Sequence, residues 1–208
     1  MEEFKEFIPG GSQLGQDLFA HQSTKNKTYI EIGASGPIKY NNTYELEKRG
    51  WKGFSIELNH NRVSQWDNLP ERKNKIYCAD AITFDYLKVL KENNLTNRIG
   101  YLSCDIEPPA NTFAALQRVI EQGIIFDCIT FEHDKYQADI DYDPIATEYL
   151  ESKGYKVAVS NVYINKKYRL DGPNSPKTIK KCFMETWYVY NDMEIPFKNY
   201  EEWLEGKK

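Results

Sequence analysis

The sequence predicts a doubly wound α/β fold built on a mainly parallel sheet, with an antiparallel strand near the C-terminus. Two observations support this prediction. Short apolar runs alternate with helical patterns along most of the 208 residues, and the alternation of apolar and polar residues becomes more open toward the C-terminus. Strict alternation of strand and helix is typical of parallel sheets with right-handed crossovers. Open apolar–polar alternation is typical of antiparallel strands nearer a sheet edge.

The elements follow in order along the chain. Strands are predicted at 27–33, 51–58, 75–81, 99–107, 124–133, 155–165 and 185–191, and helices at 42–50, 82–92, 113–122 and 144–154. The strand segments are apolar runs of strand length. Asn42 is a suitable N-cap and Gly50 a suitable C′ residue for the first helix. The helix that ends before Gly123 carries apolar residues at helical spacing.

Composition predicts a single domain over 1–208. Hydrophobic residues make up 40% of the chain and charged residues 28%, which is enough to bury a core within the usual size of one domain. Within this domain, 160–182 is rich in turn residues and Lys. We expect it to be a mobile loop, because long loops in compact domains often serve as lids or binding segments.

Charge and termini exclude several classes of partner. The net charge is −4 and the pI is near 5.5, so no nucleic acid or membrane partner is expected. The N-terminus is acidic where a signal peptide is basic, and no apolar stretch is long enough for a membrane span. The four cysteines form no CxxC motif and are predicted to be reduced. A soluble, cytoplasmic protein is expected.

Acidic residues recur at the ends of the first five predicted strands. They are Glu31, Glu57, Asp80, Asp105 with Glu107, and Glu132, which is followed by His133. Any one of these acids alone is as readily a solvated strand end or a helix cap. Because ligands of such sheets bind outside the carboxyl ends of the strands, the recurrence favours a binding site at that edge.

The first turn and the next two strand ends indicate an adenosine ligand. The turn Gly33–Gly36 allows the backbone to approach a ligand closely. Glu57, at the end of the second strand, is placed where a carboxylate accepts hydrogen bonds from ribose hydroxyls. Asp80 and Ala81 follow the third strand, where a carboxylate and a backbone N–H can meet the adenine edge.

Glu31 distinguishes between adenosine compounds. The turn has the form ExGxxG, without the three glycines of a dinucleotide site. A carboxylate repels a pyrophosphate but attracts the sulfonium and ammonium groups of S-adenosylmethionine. The sequence therefore predicts S-adenosylmethionine as the cofactor.

Several segments, in this order and spacing, resemble the FkbM family of S-adenosylmethionine-dependent methyltransferases. They are SQLGQDLF (12–19), YIEIGASG with NNTYELE (29–47), GWKGFSIELN (50–59), ADA (79–81), YLSCDIE (101–107) and FDCITFEHD (126–134). The resemblance implies a Rossmann-like class I methyltransferase fold and methylation of a hydroxyl group. The implied partner is a small-molecule acceptor, either a saccharide or another natural product. The oligomeric state is left open.

The resemblance also implies which residues bind the cofactor. The residues implied at the methionine end are Glu31, Gly33, Ala34, Asn42 and Thr43. Those implied at the ribose and adenine are Glu57, Asp80 and Ala81. The further residues implied to bind the cofactor are Ser35, Leu58 and Asp105. The N-terminal segment 1–26 is expected to close over the cofactor through Gln13, Gln16 and Asp17.

The chain departs from the family pattern on the acceptor side. Pro108 and Pro109 follow Glu107 where the family commonly has glycine, which should stiffen that loop. A module that binds an adenosine ligand without turnover is therefore an alternative. An NAD(P)-dependent oxidoreductase is a second alternative. Glu31 and the absence of the third glycine argue against it.

Four residues are candidates for catalysis: His133, Asp105, Glu107 and Glu132. His133 is the candidate base by its intrinsic pKa and its position at the end of the fifth strand. The alternative is a structural, hydrogen-bonded histidine. The carboxylates, with Asp134, could instead hold Mg²⁺ to orient a diol, or could act without metal as a base or a clamp on the acceptor.

Overall fold

The computed structural model describes residues 11–67, 69–169, 177–195 and 199–205. In chain order, the elements are α1 Gln16–Ser23, β1 Thr28–Ile32, α2 Tyr44–Lys48, β2 Lys52–Glu57, α3 His60–Val63, β3 Lys75–Cys78, α4 Tyr86–Glu92, β4 Arg98–Cys104, α5 Pro109–Glu121, β5 Ile125–Glu132, α6 Tyr142–Ser152, β6 Tyr155–Arg169, β7 Lys177–Tyr190 and α7 Tyr200–Glu205.

The strands form one sheet in the order β3-β2-β1-β4-β5-β7-β6. Neighbouring strands from β3 to β5 are parallel, whereas β7 runs antiparallel to both β5 and β6. This arrangement confirms the predicted fold class, with a mostly parallel sheet and antiparallel strands at the C-terminal end. The strand order reverses between β1 and β4, so the switch point lies at the carboxyl ends of these two strands.

Both faces of the sheet are buried. Consecutive residues of a strand point to opposite faces, and in β1 and β4 both members of such pairs are buried, as Tyr29 with Ile30 and Tyr101 with Leu102. One core lies under α4, α5 and α6, and the other lies under α1, α2 and α7. Burial on both faces explains why these strands read as continuous apolar runs in the sequence.

Several boundaries differ from the prediction. The first predicted helix is shorter, since α2 begins after Thr43, and Asn42 is not its cap. The helix predicted at 82–92 begins at Tyr86, after Asp85 caps it by accepting a hydrogen bond from the backbone N–H of Lys88. Three short helices, α1, α3 and α7, are absent from the prediction. Short helices carry too few apolar positions to show a clear period.

The mobile loop predicted at 160–182 is largely strand in the structure. β6 continues to Arg169 and β7 starts at Lys177, and their pairing is continuous from Tyr163 opposite Phe183 to Arg169 opposite Lys177. Residues 170–176 lie outside the described residues. The polar, basic composition of this segment therefore belongs to a two-stranded ribbon. Among the described residues, no helix is long and apolar enough to cross a membrane.

Candidate functional site

A cavity of about 820 Å³ opens at the carboxyl ends of β1, β2, β3 and β4. Its volume is within the range of about 300–1,000 Å³ that is usual for small-molecule sites. The predicted site residues on its wall are Gly33, Ser35, Glu57, Leu58, Asp80, Ala81, Asp105 and Glu107. Further wall residues that the sequence did not indicate are Ile56, Asn59, Ala79, Ile82, Ile106 and Asn111. Ile56 lies within β2, and the other apolar ones follow strand ends without any distinctive pattern.

Gly33 brings β1 and β4 together at the cavity. Its φ is +83°, and a β-carbon at this position would lie 1.6 Å from the backbone oxygen of Asp105. The N–H groups of Gly33 and Ala34 both donate to the carbonyl of Ile56, at 2.9 and 3.1 Å. Only glycine fits this close crossing.

The side chain of Glu57 is fixed at the cavity wall by two backbone groups. One carboxylate oxygen accepts from the N–H of Ser35 at 2.8 Å, and the other accepts from the N–H of Asn59 at 2.7 Å. The indole N–H of Trp66 in turn holds the carbonyl of Ser35 at 3.2 Å. Each carboxylate oxygen still has lone-pair capacity for a hydroxyl donor.

The cavity wall has a polar part at the end of β3 and an apolar part at the end of β2. The carboxylate of Asp80 is exposed and accepts from the backbone N–H of Ile82 at 2.9 Å. Leu58 is 71% exposed, although it is a large apolar side chain on the wall of a cavity. An apolar surface beside an outward-facing carboxylate suits a planar heterocycle with hydrogen-bonding edges.

Glu31 does not line this cavity. It lies within β1, one residue before the strand ends, and it is 2% exposed. Its carboxylate accepts from the side chains of Asn41, Thr43 and Ser55 and from the N–H of Asn42, at 2.8–3.2 Å. Its role in the structure is therefore to fix the 41–43 loop. Burial raises the pKa of Glu31.

The other predicted residues near the methionine end also make contacts within the protein. Thr43 and Ala34 are buried, and neither they nor Asn42 line the cavity. The amide of Asn42 donates to Ser103 at 2.9 Å, while its Oδ1 has no hydrogen-bond donor among the described residues. Asn42 thus has a buried acceptor that remains unused.

The N-terminal segment is connected to the last strand of the sheet. Gln16 donates to Glu185 at 2.5 Å, and Asp17 accepts from Ser12 at 2.5 Å and from the N–H of Leu18 at 2.8 Å. Gln13 is exposed and does not line the cavity. In the structure these contacts hold α1 against the sheet, and closure of the segment over a cofactor stays a prediction.

His133 is fully buried and does not line the large cavity. Its Nδ1 accepts from the N–H of Lys135 at 3.3 Å, which leaves Nε2, assigned as the protonated nitrogen, facing Thr186 at 3.4 Å and Asp143 at 3.8 Å. Burial lowers the pKa of His133. A side chain without exposed surface cannot take a proton from an acceptor, so the structure favours the structural alternative over the predicted base.

The lowered pKa of His133 predicts a pH-dependent contribution to stability. The unfolded chain binds a proton at His133 near pH 6.5 and the folded chain binds it only at lower pH, so stability is lost as the pH falls below about 6.5. Between pH 7 and 5, the stability difference between the wild type and His133→Gln should shrink, by up to about 1.4 kcal/mol per pH unit. Urea unfolding measures this difference, with exposed His60→Gln as the baseline. A difference that stays constant with pH would contradict the buried neutral state.

Carboxylates from the ends of β4 and β5 and from the interior of β7 meet beside the cavity. They are Asp105 after β4, Glu132 and Asp134 at and after β5, and Glu185 in β7, and we call them the acid cluster. Burial is the main cause that raises the pKa of Asp105, Glu132 and Glu185, the last to about 8. Repulsion from Asp105 raises the pKa of Glu132 further. Glu185 also accepts from the indole N–H of Trp187 at 2.6 Å.

Glu107 lies between the acid cluster and two cavities. Burial raises its pKa, and Asp134, with which its carboxyl group forms a hydrogen bond, adds to the shift. Glu107 lines the large cavity and also a second cavity of about 430 Å³, whose other wall residues are Pro108, Pro109, Ala110, Gln137, Ala138, Asp139, Ile140 and Tyr142. The two cavities are therefore adjacent.

No metal site accompanies these acids. Among the residues that the structure describes, no group of three or more His, Cys, Asp or Glu side chains has an arrangement that could hold a metal ion. The Mg²⁺ alternative for Asp105, Glu107, Glu132 and Asp134 therefore gains no support.

Comparison with known proteins identifies the fold. No protein-family model and no curated protein matches the sequence. A precorrin-6y C5,15-methyltransferase from Geobacter metallireducens matches the structure with a TM-score of 0.52 at 15% identity, over 89% of this chain and 95% of its own. The chain has a methyltransferase fold. A Klebsiella pneumoniae protein assigned as an O-methyltransferase gives a TM-score of 0.51 at 11% identity, over 89% and 83%.

At such low identities the likeness concerns the methyltransferase fold alone. A precorrin 8w decarboxylase from Methanobacterium thermoautotrophicum matches with a TM-score of 0.50 at 15% identity, over 91% of this chain and 99% of its own. The same fold thus occurs in proteins named for different reactions. The resemblance to the FkbM family stays a prediction.

Proposed function

We propose that the protein is an S-adenosylmethionine-dependent methyltransferase. The observation that carries the proposal is the charge of the large cavity: four carboxylates line it and none of its wall residues is Lys or Arg. They are Glu57, Asp80, Asp105 and Glu107. This wall repels the pyrophosphate of a dinucleotide and attracts the sulfonium and ammonium groups of S-adenosylmethionine. Because Glu31 is buried away from the cavity, the attraction would come from the four carboxylates of the wall and not from Glu31.

The wall residues fit the parts of this cofactor. Glu57 would bind the ribose hydroxyls, and Asp80 with Leu58 would bind the adenine. Asp105, beside the Gly33 turn, would face the cationic methionine end. When bound, S-adenosylmethionine supplies an activated methyl group. The protein must then hold an acceptor atom in line with it, which is a matter of positioning.

We further propose that the acceptor is a hydroxyl group of a small polar molecule, such as a saccharide or another natural product. The second cavity would bind this molecule, because it adjoins the large cavity at Glu107. Of the predicted bases, Glu107 is the one with a side chain exposed at this junction. The part of Glu107 that is buried raises its pKa toward that of an effective base. Glu107 would hold this hydroxyl group and accept its proton as the methyl group is transferred, and S-adenosylhomocysteine would be the leaving product.

A calorimetric titration tests the cofactor. The purified protein is titrated with S-adenosylhomocysteine, S-adenosylmethionine, NAD and ATP. We expect micromolar binding of the first two compounds and at least tenfold weaker binding of NAD and ATP. Tighter binding of NAD would favour the oxidoreductase alternative. Binding of S-adenosylmethionine without turnover in a broad acceptor screen would favour the non-catalytic alternative.

Replacing Glu57 with alanine should weaken binding of S-adenosylhomocysteine. Hydrogen bonds to a charged group contribute about 1.5–3 kcal/mol each, and 1.4 kcal/mol corresponds to about tenfold in affinity, so a loss of about tenfold or more is expected. The same titration measures it. The control is Glu92→Ala, an exposed acid on α4 outside the cavity, which should bind as the wild type does. Normal binding by Glu57→Ala would contradict the ribose role.

A further inference from the structure

We propose that the acceptor is a neutral phenol, and that the second cavity binds its aromatic ring. This inference rests on the proposed methyltransferase function and narrows its acceptor from saccharides and other natural products to those with an aromatic hydroxyl group. The ring would lie in the second cavity, and its hydroxyl group would meet Glu107 at the junction with the large cavity.

The wall of the second cavity offers few hydrogen-bond partners. Six of its nine described wall residues are apolar or aromatic: Pro108, Pro109, Ala110, Ala138, Ile140 and Tyr142. The others are Glu107, Gln137 and Asp139, and the amide of Gln137 already donates to Asp134 at 2.7 Å. A saccharide carries a hydroxyl group on most of its ring carbons, and each one buried without a partner costs free energy. A phenol needs one partner, and Glu107 supplies it.

Two large side chains of this wall have exposed apolar surface. Ile140 is 55% exposed, and Tyr142, the first residue of α6, is partly exposed. Phe113 of α5 packs against the ring of Tyr142, with the ring centroids 5.8 Å apart, and so holds that ring in place. A fixed ring in a cavity wall suits an aromatic ligand, because aromatic pairs attract each other beyond the area that they bury.

The charge of the second cavity disfavours an anionic acceptor. None of its described wall residues is Lys or Arg, and Glu107 and Asp139 are acids. α5 begins in this wall, and the N–H groups at the start of a helix often bind anions. Pro108 and Pro109 have no N–H group, however, and that of Asn111 donates to the carbonyl of Pro108 at 2.8 Å. The start of α5 therefore offers little to offset the repulsion between the two acids and a carboxylate or a phosphate.

A phenol also suits Glu107 as the base. Burial and the neighbouring Asp134 raise the pKa of Glu107, which makes it a stronger base than an ordinary carboxylate. A phenol has a pKa of about 10, far below that of water, which is about 15.7. The hydroxyl groups of a saccharide are aliphatic and are weaker acids than a phenol. Glu107 would therefore accept a proton more readily from a phenol.

Two matched pairs of ligands test the proposal by calorimetry at pH 7. Wild-type protein saturated with S-adenosylhomocysteine is titrated with methyl 4-hydroxybenzoate and with 4-hydroxybenzoate, which share a phenol and differ in charge. It is then titrated with catechol and with cis-1,2-cyclohexanediol, which share two hydroxyl groups and differ in the aromatic ring. We expect the neutral ester to bind about tenfold more tightly than the anion, and catechol about fivefold more tightly than the diol.

Methyl β-glucoside serves as the saccharide probe in the same titration, and we expect it to bind more weakly than catechol. The proposal is overturned if neither methyl 4-hydroxybenzoate nor catechol binds. It is equally overturned if the anion binds as tightly as its ester, or if the diol or the glucoside binds as tightly as catechol.

Variants assign these preferences to the second cavity. Tyr142→Leu should reduce the preference for catechol over the diol to about twofold or less, because the aromatic partner is lost. Asp139→Asn should weaken the discrimination against 4-hydroxybenzoate by about threefold or more. The controls Tyr40→Leu and Glu148→Gln change exposed residues that line neither cavity and should keep the wild-type preferences. Preferences that survive both Tyr142→Leu and Asp139→Asn would refute the assignment.

Ala110→Trp provides a second route if Tyr142→Leu does not fold. Ala110 is an exposed residue of the cavity wall, so a large side chain can be added there and would fill the cavity. We expect catechol to bind this variant about tenfold more weakly or worse. Unchanged binding of catechol would place the phenol elsewhere on the protein and refute the proposal.

These titrations separate the proposal from the proposed function. If S-adenosylhomocysteine does not bind the wild type, the methyltransferase proposal fails, and the phenol titrations are carried out on the unloaded protein. A preference for neutral phenols there, sensitive to Tyr142→Leu, would still support a phenol site in the second cavity. If S-adenosylhomocysteine binds and no phenol is preferred, the phenol proposal fails alone.

Discussion

Gly33→Ala should abolish binding of S-adenosylhomocysteine and lower the free energy of unfolding by about 3 kcal/mol or more, as expected when a core position is overpacked and strained. The added β-carbon would lie 1.6 Å from the backbone oxygen of Asp105 and 2.8 Å from the side chain of Ile106. Backbone cannot move aside as a flexible side chain can. The crossing of β1 and β4 would have to open, and this opening would displace two walls of the cavity. Urea unfolding and calorimetry measure the two effects.

Gly36→Ala is the matched control for this substitution. Gly36 lies in the same turn, and a β-carbon there would meet only the side-chain oxygen of Gln65, at 3.9 Å. We expect a change in stability of no more than about 0.5–1 kcal/mol, because the position has room for a methyl group. Equal effects of the two substitutions would show that the turn, rather than the crossing at Gly33, determines the loss.

Glu31→Ala should lower the free energy of unfolding by about 2–6 kcal/mol, although Glu31 does not touch the cavity. The substitution removes the only described acceptor of the Asn42 N–H and of the Ser55 hydroxyl, and a buried donor left without a partner costs about 1–3 kcal/mol. Because the 41–43 loop would loosen, affinity for S-adenosylhomocysteine should also fall. Urea unfolding and calorimetry check these outcomes.

Glu31→Gln separates hydrogen bonding from charge in this loop. The amide keeps one acceptor for the Asn42 N–H, and its NH₂ group can donate to the hydroxyl oxygens of Thr43 and Ser55. We expect it to cost less than half as much stability as Glu31→Ala. The exposed Glu92→Ala should change stability by no more than about 0.5 kcal/mol. If Gln costs as much as Ala, the charge of Glu31 is itself required.

The sheet could be predicted from the sequence because its strands are buried on both faces. Runs such as those of β4 and β5 contain few polar residues, and the helices between them have a clear apolar period. Of the β6–β7 ribbon, only the parts within 155–165 and 185–191 are predicted as strands. The outer part of the ribbon pairs only within the ribbon, and its sequence is too polar to show the apolar alternation that marks a strand.

The sequence predicts which acids lie at strand ends, but it does not predict which of their side chains face the cavity. Glu57, Asp80, Asp105 and Glu107 line the large cavity because each follows the carboxyl end of a parallel strand. Glu31 and His133 have similar positions in the sequence but are buried. Spacing does not show whether a side chain points out of a strand end or into the sheet. Glu185 reaches the acid cluster from the interior of β7, where it lies opposite Glu132 of β5, and an acid inside a strand gives no signal of a site in the sequence.

The order of the strands also has a consequence for synthesis of the chain. β7 lies between β5 and β6, although it is made after both. Until the segment around Glu185 is available, the outer edge of β5 has no partner, and unpaired strand edges can join other chains. At about 5–20 residues per second, translation of the segment between β5 and β7 takes several seconds. We therefore expect a nascent chain stopped before β7 to aggregate or to recruit chaperones, and a chain that includes β7 to fold.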